Sequence, residues 1–166
     1  MSMNPLTIEQ DPDEVKLAFS VHQNSVLRQI RLVRAKLASS VRPEVADDPL
    51  EIGFQHKSKH VDAPPNLFRV AVSFKMTGKR PGEDTAPVTV ECDFEADYEL
   101  LEGFTLNPDA ARAFKDGNAV FNMWPYFREY LQSSIQRLGL PPLTAPFLRL
   151  QPKPRKPVEA PPSKTK

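Results

Sequence analysis

The sequence predicts an α+β fold in which one long helix covers one face of an antiparallel sheet. Two patterns carry this. Across residues 87–101, Val88, Val90, Cys92, Phe94, Ala96, Tyr98 and Leu100 alternate with Thr89, Glu91, Asp93, Glu95, Asp97 and Glu99. A period of two with one polar face marks an antiparallel strand covered on one side. Across 119–150 the period changes. Val120, Trp124, Phe127, Leu131, Ser134 and Leu138 recur at three- and four-residue spacing, which gives one apolar seam along a helix. Gly139 is placed as a C-cap, and Pro141-Pro142 forbid continuation. Pro125 lies inside the run, and proline is tolerated in a first helical turn but breaks an interior. The regular helix is therefore expected over 124–138, with 120–123 as a distorted lead-in.

The elements follow in order. Residues 1–11 are polar and expected to be mobile. Residues 12–23 suit a short helix: Asp11 can cap it, Pro12 fits the first position, and Asp13 and Glu14 favour the positive end of the dipole. Residues 25–40 are ambiguous. Val26, Ile30, Val33 and Leu37 fit a helix, whereas the β-branched content and the pair Ile30, Leu32 fit a strand. Residues 41–49 form a loop with prolines near both ends.

A strand is predicted at 50–61, with Leu50, Ile52, Phe54, His56, Ser58 and His60 facing one way. After a turn at 63–66, the next strand, 67–79, turns Phe68, Val70, Val72, Phe74 and Met76 inward. Residues 80–84 turn the chain into the strand described first. Asn107 can cap a short helix at 108–115. Residues 151–166 hold five Pro, five basic residues and one acidic residue. They lack the apolar surface needed to order themselves and read as a disordered tail.

Composition bounds the rest. A length of 166 residues suits one domain, and 40% hydrophobic content is enough for a core. A net charge of +1 argues against a nucleic-acid partner. One cysteine excludes an internal disulfide framework and fits a reducing compartment. No basic start precedes an apolar run, and no stretch approaches the roughly 20 apolar residues of a membrane span. The expectation is a soluble, cytoplasmic protein without membrane insertion.

The order of residues in the helix carries a resemblance. Pro125-Tyr126-Phe127-Arg128-Glu129, followed by Leu138-Gly139-Leu140-Pro141-Pro142-Leu143, resembles the main helix and following loop of the SecB family of export chaperones. The Tyr-x-Arg-Glu-Tyr and Leu-Pro-Pro-Leu-Thr forms are most similar to SecB-like chaperones encoded beside toxin–antitoxin pairs. The motif covers about a fifth of the chain, and the strand order extends it. The resemblance implies that residues 25–40 are the long first strand of a four-stranded antiparallel sheet. It implies a SecB-like domain over 24–150, between an N-terminal extension at 1–23 and the tail at 151–166, assembled as a dimer of dimers. The implied function is an ATP-independent holdase for unfolded preproteins or one dedicated antitoxin; the rival is a non-catalytic oligomeric scaffold.

The same resemblance implies a client groove lined by Val41, Val45, Phe54, Phe121, Trp124, Phe127, Leu143, Phe147 and Leu148. It also implies that the acidic row Glu91, Asp93, Glu95, Asp97 and Glu99 meets the translocation motor SecA. The competing reading of that row is structural, because Arg69, Lys75 and Lys79 share its face on the adjoining strand. The basic tail departs from the acidic SecB C-terminus, which weighs against motor hand-off, and residues 144–150, ending at Gln151-Pro152, are too short for the long C-terminal helix of SecB.

Geometry argues for assembly independently. Four strands about 4.8 Å apart make a sheet roughly 19 Å wide, and one helix covers about 10 Å of it. No enzyme site stands out. His56 and His60 share a strand face about 13 Å apart, too far to hold one metal. Cys92 is predicted inward as a small apolar filler. There is no glycine-rich phosphate loop. No catalytic residue, metal site or cofactor is expected.

Overall fold

A computed structural model of the protein describes residues 6–45 and 48–154. The chain runs β1 (Leu6–Gln10), α1 (Pro12–Gln23), β2 (Ser25–Ser39), β3 (Glu51–Val61), β4 (Leu67–Lys79), β5 (Val88–Leu100), α2 (Pro108–Phe114), α3 (Val120–Arg137) and β6 (Leu148–Pro152). Strands β2, β5, β4 and β3, in that spatial order, form a four-stranded antiparallel sheet. One face carries the apolar residues and receives α3. Phe68, Val70, Val72, Phe74 and Met76 of β4 and Val90, Cys92, Phe94 and Ala96 of β5 are all buried there. The helix contributes Val120, Met123, Trp124, Phe127, Leu131 and Ile135 to the same core. The alternation read from the sequence therefore sorts core from surface on the two central strands.

The ambiguous segment is a strand, β2, whose partner is β5. Its register shifts twice, between Leu27 and Gln29 and between Leu32 and Arg34. Each bulge adds one residue, so the residues opposite the core positions of β5 are Leu27, Ile30, Leu32, Ala35 and Leu37. That spacing of three, two, three and two mimics a helical period.

Local signals shaped the helices as expected at their starts. The Glu14 carboxylate accepts from the Asp11 N–H at 3.0 Å, the reciprocal half of a capping box. Asn107 Oδ1 accepts from the Asp109 N–H at 2.8 Å, with Pro108 in the first position of α2. Gly139 takes φ 69° just after α3, and the Leu140 N–H donates back to the Ile135 carbonyl at 3.3 Å. Those two features close the helix as glycine C-caps do.

Three expectations are corrected. First, α3 is regular from Val120 through Pro125, so 120–123 is not a distorted lead-in. Pro125 and Phe121 are both exposed, so the Phe121 carbonyl that Pro125 leaves without a donor is available to water. The distortion sits one turn earlier, in a π-helical turn at Lys115–Ala119 that joins α2 to α3 without a break. The wide turn receives Gln10. Its Nε2 donates to the Ala113 carbonyl at 2.7 Å, and a Cβ on Gly117 would come within 2.5 Å of its amide oxygen. Second, residues 6–10 are ordered as β1. Third, β1 pairs in parallel with β6, which runs through Pro152 and so takes the first two residues of the expected tail. Residues 1–5 and 155–166, the remainder of the expected mobile start and tail, lie outside the described residues.

Candidate functional site

The expected groove residues fall into two groups. Trp124, Phe127 and Leu148 are 4%, 0% and 8% exposed and belong to the core. Phe127 stacks on Phe74 with ring centroids 5.0 Å apart, and Trp124 meets Phe74 edge-on at 5.6 Å. The indole N–H of Trp124 donates to the Pro146 carbonyl at 3.0 Å. Its job is to anchor the segment that follows α3, and no polypeptide reaches it in this conformation. The sequence periodicity already contained this outcome, since the seam that makes a helix amphipathic is the face it buries.

The second group is accessible. Phe121 is 45% exposed and Phe147 is 70% exposed. Val41, Val45, Phe54 and Leu143 are half-buried. After Gly139 the chain doubles back along one flank of α3. Arg128 Nε donates to the Ala145 carbonyl at 3.0 Å, and its guanidinium lies 4.5 Å over the Phe147 ring. The return segment thus stretches from Ile135 towards Phe121. Phe54 on edge strand β3 meets Trp124 at 5.8 Å and Phe127 at 6.5 Å.

Where the return begins, it does not close onto the sheet. A cavity of about 220 Å³ opens there, walled by Leu50, Ile52, Ile135, Leu140, Pro142 and Leu143. Of these only Leu143 was expected from the sequence. The signal for the others was Gly78, a glycine at an inward position of β4. A side chain there would meet Leu50 at 3.2 Å and Ile52 at 3.5 Å, so the glycine leaves room for both residues to lie across the strand.

The inner face of β2 is the other open apolar surface. Leu27, Leu32 and Leu37 are 41%, 44% and 36% exposed. Tyr126 on the near flank of α3 is also exposed and reaches Phe94, with ring centroids 6.4 Å apart. The helix does not roof this strand, which is the deficit the width of the sheet implied.

The outer face holds the acidic row, and every member of it has a cation. Arg31 Nη2 lies 2.5 Å from Glu95, Arg34 Nε 2.6 Å from Asp93, Arg69 Nε 2.5 Å from Asp97, and Lys75 Nζ 2.9 Å from Glu91. Arg28 pairs with Glu99. Hydrogen bonds from Lys75, Arg34 and Arg69 hold the carboxyls of Glu91, Asp93 and Asp97 below the usual carboxylate range. Arg69 and Lys75 are partners the sequence indicated. Lys79 is not among them, and the three arginines of β2 were missed because its register was open. The row is internally neutralised, which removes the observation that pointed to a basic partner.

Groups of reactive type sit in unreactive settings. Burial pushes the Cys92 thiol up to about 12 and the Tyr98 hydroxyl to about 12, while Asn122 Nδ2 donates to that hydroxyl at 3.1 Å. Burial beside Phe74 lowers the His56 pKa. His60 packs against Phe68 at 5.3 Å.

No family model matches the sequence, and no curated protein matches it. Among solved structures, the chain is similar to a SecB-like chaperone from Mycobacterium tuberculosis in complex with a ChAD peptide from the HigA1 antitoxin. The TM-score is 0.67 and the identity 24%, over 82% of this chain and 99% of that one. A protein of unknown function from Streptococcus agalactiae is more distant, with a TM-score of 0.43 and 8% identity over 74% of this chain and 97% of that one. The first likeness shows the fold: this chain has a SecB-like architecture of four antiparallel strands and one long helix.

Proposed function

We propose that this protein is an ATP-independent holdase that binds apolar segments of non-native polypeptides and keeps them from aggregating. The observation that carries this reading is the apolar cavity left open under Leu140–Leu143 at the end of α3, with the exposed ring of Phe147 further along the return segment. Such a surface buries large apolar side chains of an extended chain while few of its own rotors are lost. Leu50, Ile52, Leu143 and Phe147 make the client contacts, with Val41, Val45 and Phe54 at the margin; Trp124, Phe127 and Leu148 hold the groove from beneath. The fold shared with a chaperone solved on an antitoxin peptide supports a dedicated antitoxin client over a broad set of preproteins. The working form is a homo-oligomer, a dimer of dimers, joined first through the bare inner face of β2. It acts in the cytoplasm without a cofactor and performs no catalysis.

The test is light scattering from a chemically unfolded client diluted with equimolar protein. Wild type should suppress the signal. Leu143→Asp with Phe147→Asp should abolish suppression while leaving the oligomer and its melting temperature in place. Failure of wild type to slow aggregation would reject the holdase and leave the scaffold reading. Full suppression by the double variant would reject the groove.

A further inference from the structure

The outer face of the sheet offers a second surface, opposite the client groove and independent of the holdase reading. Register arranges it in rungs that cross the sheet from β2 to β3. One rung is Arg31, Glu95, Ala71, Lys59. The next is Arg34, Asp93, Ser73, Lys57, and the third is Lys36, Glu91, Lys75, Gln55. Each carries two cations and one carboxylate, so each leaves one positive charge. The carboxylates are already held by Arg31, Arg34 and Lys75. Among the described residues, Lys36, Lys57 and Lys59 form no ion pair, and all three are exposed.

Small side chains shape the surface between these charges. Ser73 lines an open depression of about 250 Å³ together with Lys57, Lys75, Arg34 and Gln55. Lysines on an edge strand also discourage edge-to-edge pairing. That role accounts for Lys57 and Lys59 as charges. Lys75, one strand further in, is the partner of Glu91; neither role accounts for the hollow between Lys57 and Lys75.

We propose that this face docks an acidic segment of a partner polypeptide. Lys57 and Lys59 are two residues apart on one strand, about 6.8 Å, the same repeat at which an extended segment presents alternate side chains. Carboxylates on such a segment reach Lys57 and Lys59, and its backbone lies over Ala71 and Ser73. A nucleic acid fits less well. Three surplus charges fall short of the roughly 6–10 phosphate contacts of a strongly salt-dependent DNA-binding protein. The sign of the partner is thus the reverse of the one the acidic row of β5 implied when read alone.

The experiment uses the full chain and a labelled peptide of alternating Glu and Ser, followed by fluorescence anisotropy. Binding is expected at about 50 mM salt and should weaken at least about tenfold at about 300 mM, where the screening length shortens. Lys57→Gln with Lys59→Gln should weaken it about tenfold at the lower salt. Lys16→Gln, an exposed lysine on α1, should leave it unchanged. The proposal is overturned by absence of binding, by an equal loss in Lys16→Gln, or by equal or tighter binding of an alternating Lys–Ser peptide or a thymidine oligonucleotide.

Discussion

Leu32→Ser should weaken self-association by one to two orders of magnitude, and the size follows from exposure. Leu27, Leu32 and Leu37 stand on the inner face of β2 at 41%, 44% and 36% exposure. Full burial of a leucine is favourable by about 1.5–3 kcal/mol, so covering the remaining two-fifths gives about 0.6–1.2 kcal/mol each. A two-fold interface uses the same patch twice, so six leucines contribute about 4–7 kcal/mol. Association itself costs about 4–15 kcal/mol, so the stripe sits near the balance point. Tyr126, 47% exposed beside it, adds to the favourable side.

Near a balance point a single truncation is visible. Leu32→Ser removes about 1.2–2.4 kcal/mol per pair of chains, a roughly ten- to sixtyfold rise in Kd. Sedimentation velocity over a concentration series reads this directly. Leu101→Ser is the control: Leu101 is 46% exposed but lies past the end of β5, off the stripe. A wild-type chain that stays monomeric at high concentration would refute the reasoning, as would a Leu32→Ser series that overlays wild type.

Two further outcomes follow from packing and charge. Phe127→Ala should cost about 3–5 kcal/mol in urea unfolding, because its ring is fully buried against Phe74 and Trp124; a loss under about 1 kcal/mol would mean the ring is not core. Stability should also fall in acid. The carboxyls of Asp93, Asp97 and Glu91 titrate lower in the folded chain than in the unfolded one. Their contribution is therefore complete above about pH 4–5 and is lost as pH drops through the folded values. Asp97→Asn should flatten that acid limb, and an unchanged slope of stability against pH would count against the paired row.

The parts of the fold legible in the sequence were those encoded by one strand or one helix at a time. Leu67–Lys79 was recovered to the residue because β4 alternates with no bulge. Asp11, Asn107 and Gly139 marked helix ends through side-chain chemistry that acts over three residues. Strand β2 hid behind its two bulges, which put apolar residues at a spacing between the strand and helix periods. Strand β1 was hidden for a different reason. Leu6–Gln10 looks polar, and it orders by pairing with β6 across the whole length of the chain and by seating Gln10 in the π-turn. Neither contact has a local signature.

The same distinction bears on the two candidate surfaces. A charge pattern on one strand says which face is polar, but not what opposes it. Glu91 to Glu99 had Arg69, Lys75 and Lys79 as its only candidate partners until β2 was placed beside it and supplied Arg28, Arg31 and Arg34. Trp124 and Phe127 on the apolar seam of α3 were likewise placed among the groove candidates, and both are buried in the core. The accessible apolar surface arises where packing stops: after Gly139, where the helix ends and Leu140–Leu143 leave a cavity against Leu50 and Ile52, the two residues that lie across Gly78. Periodic residues build the scaffold. The places that interrupt the period are where the cavity opens.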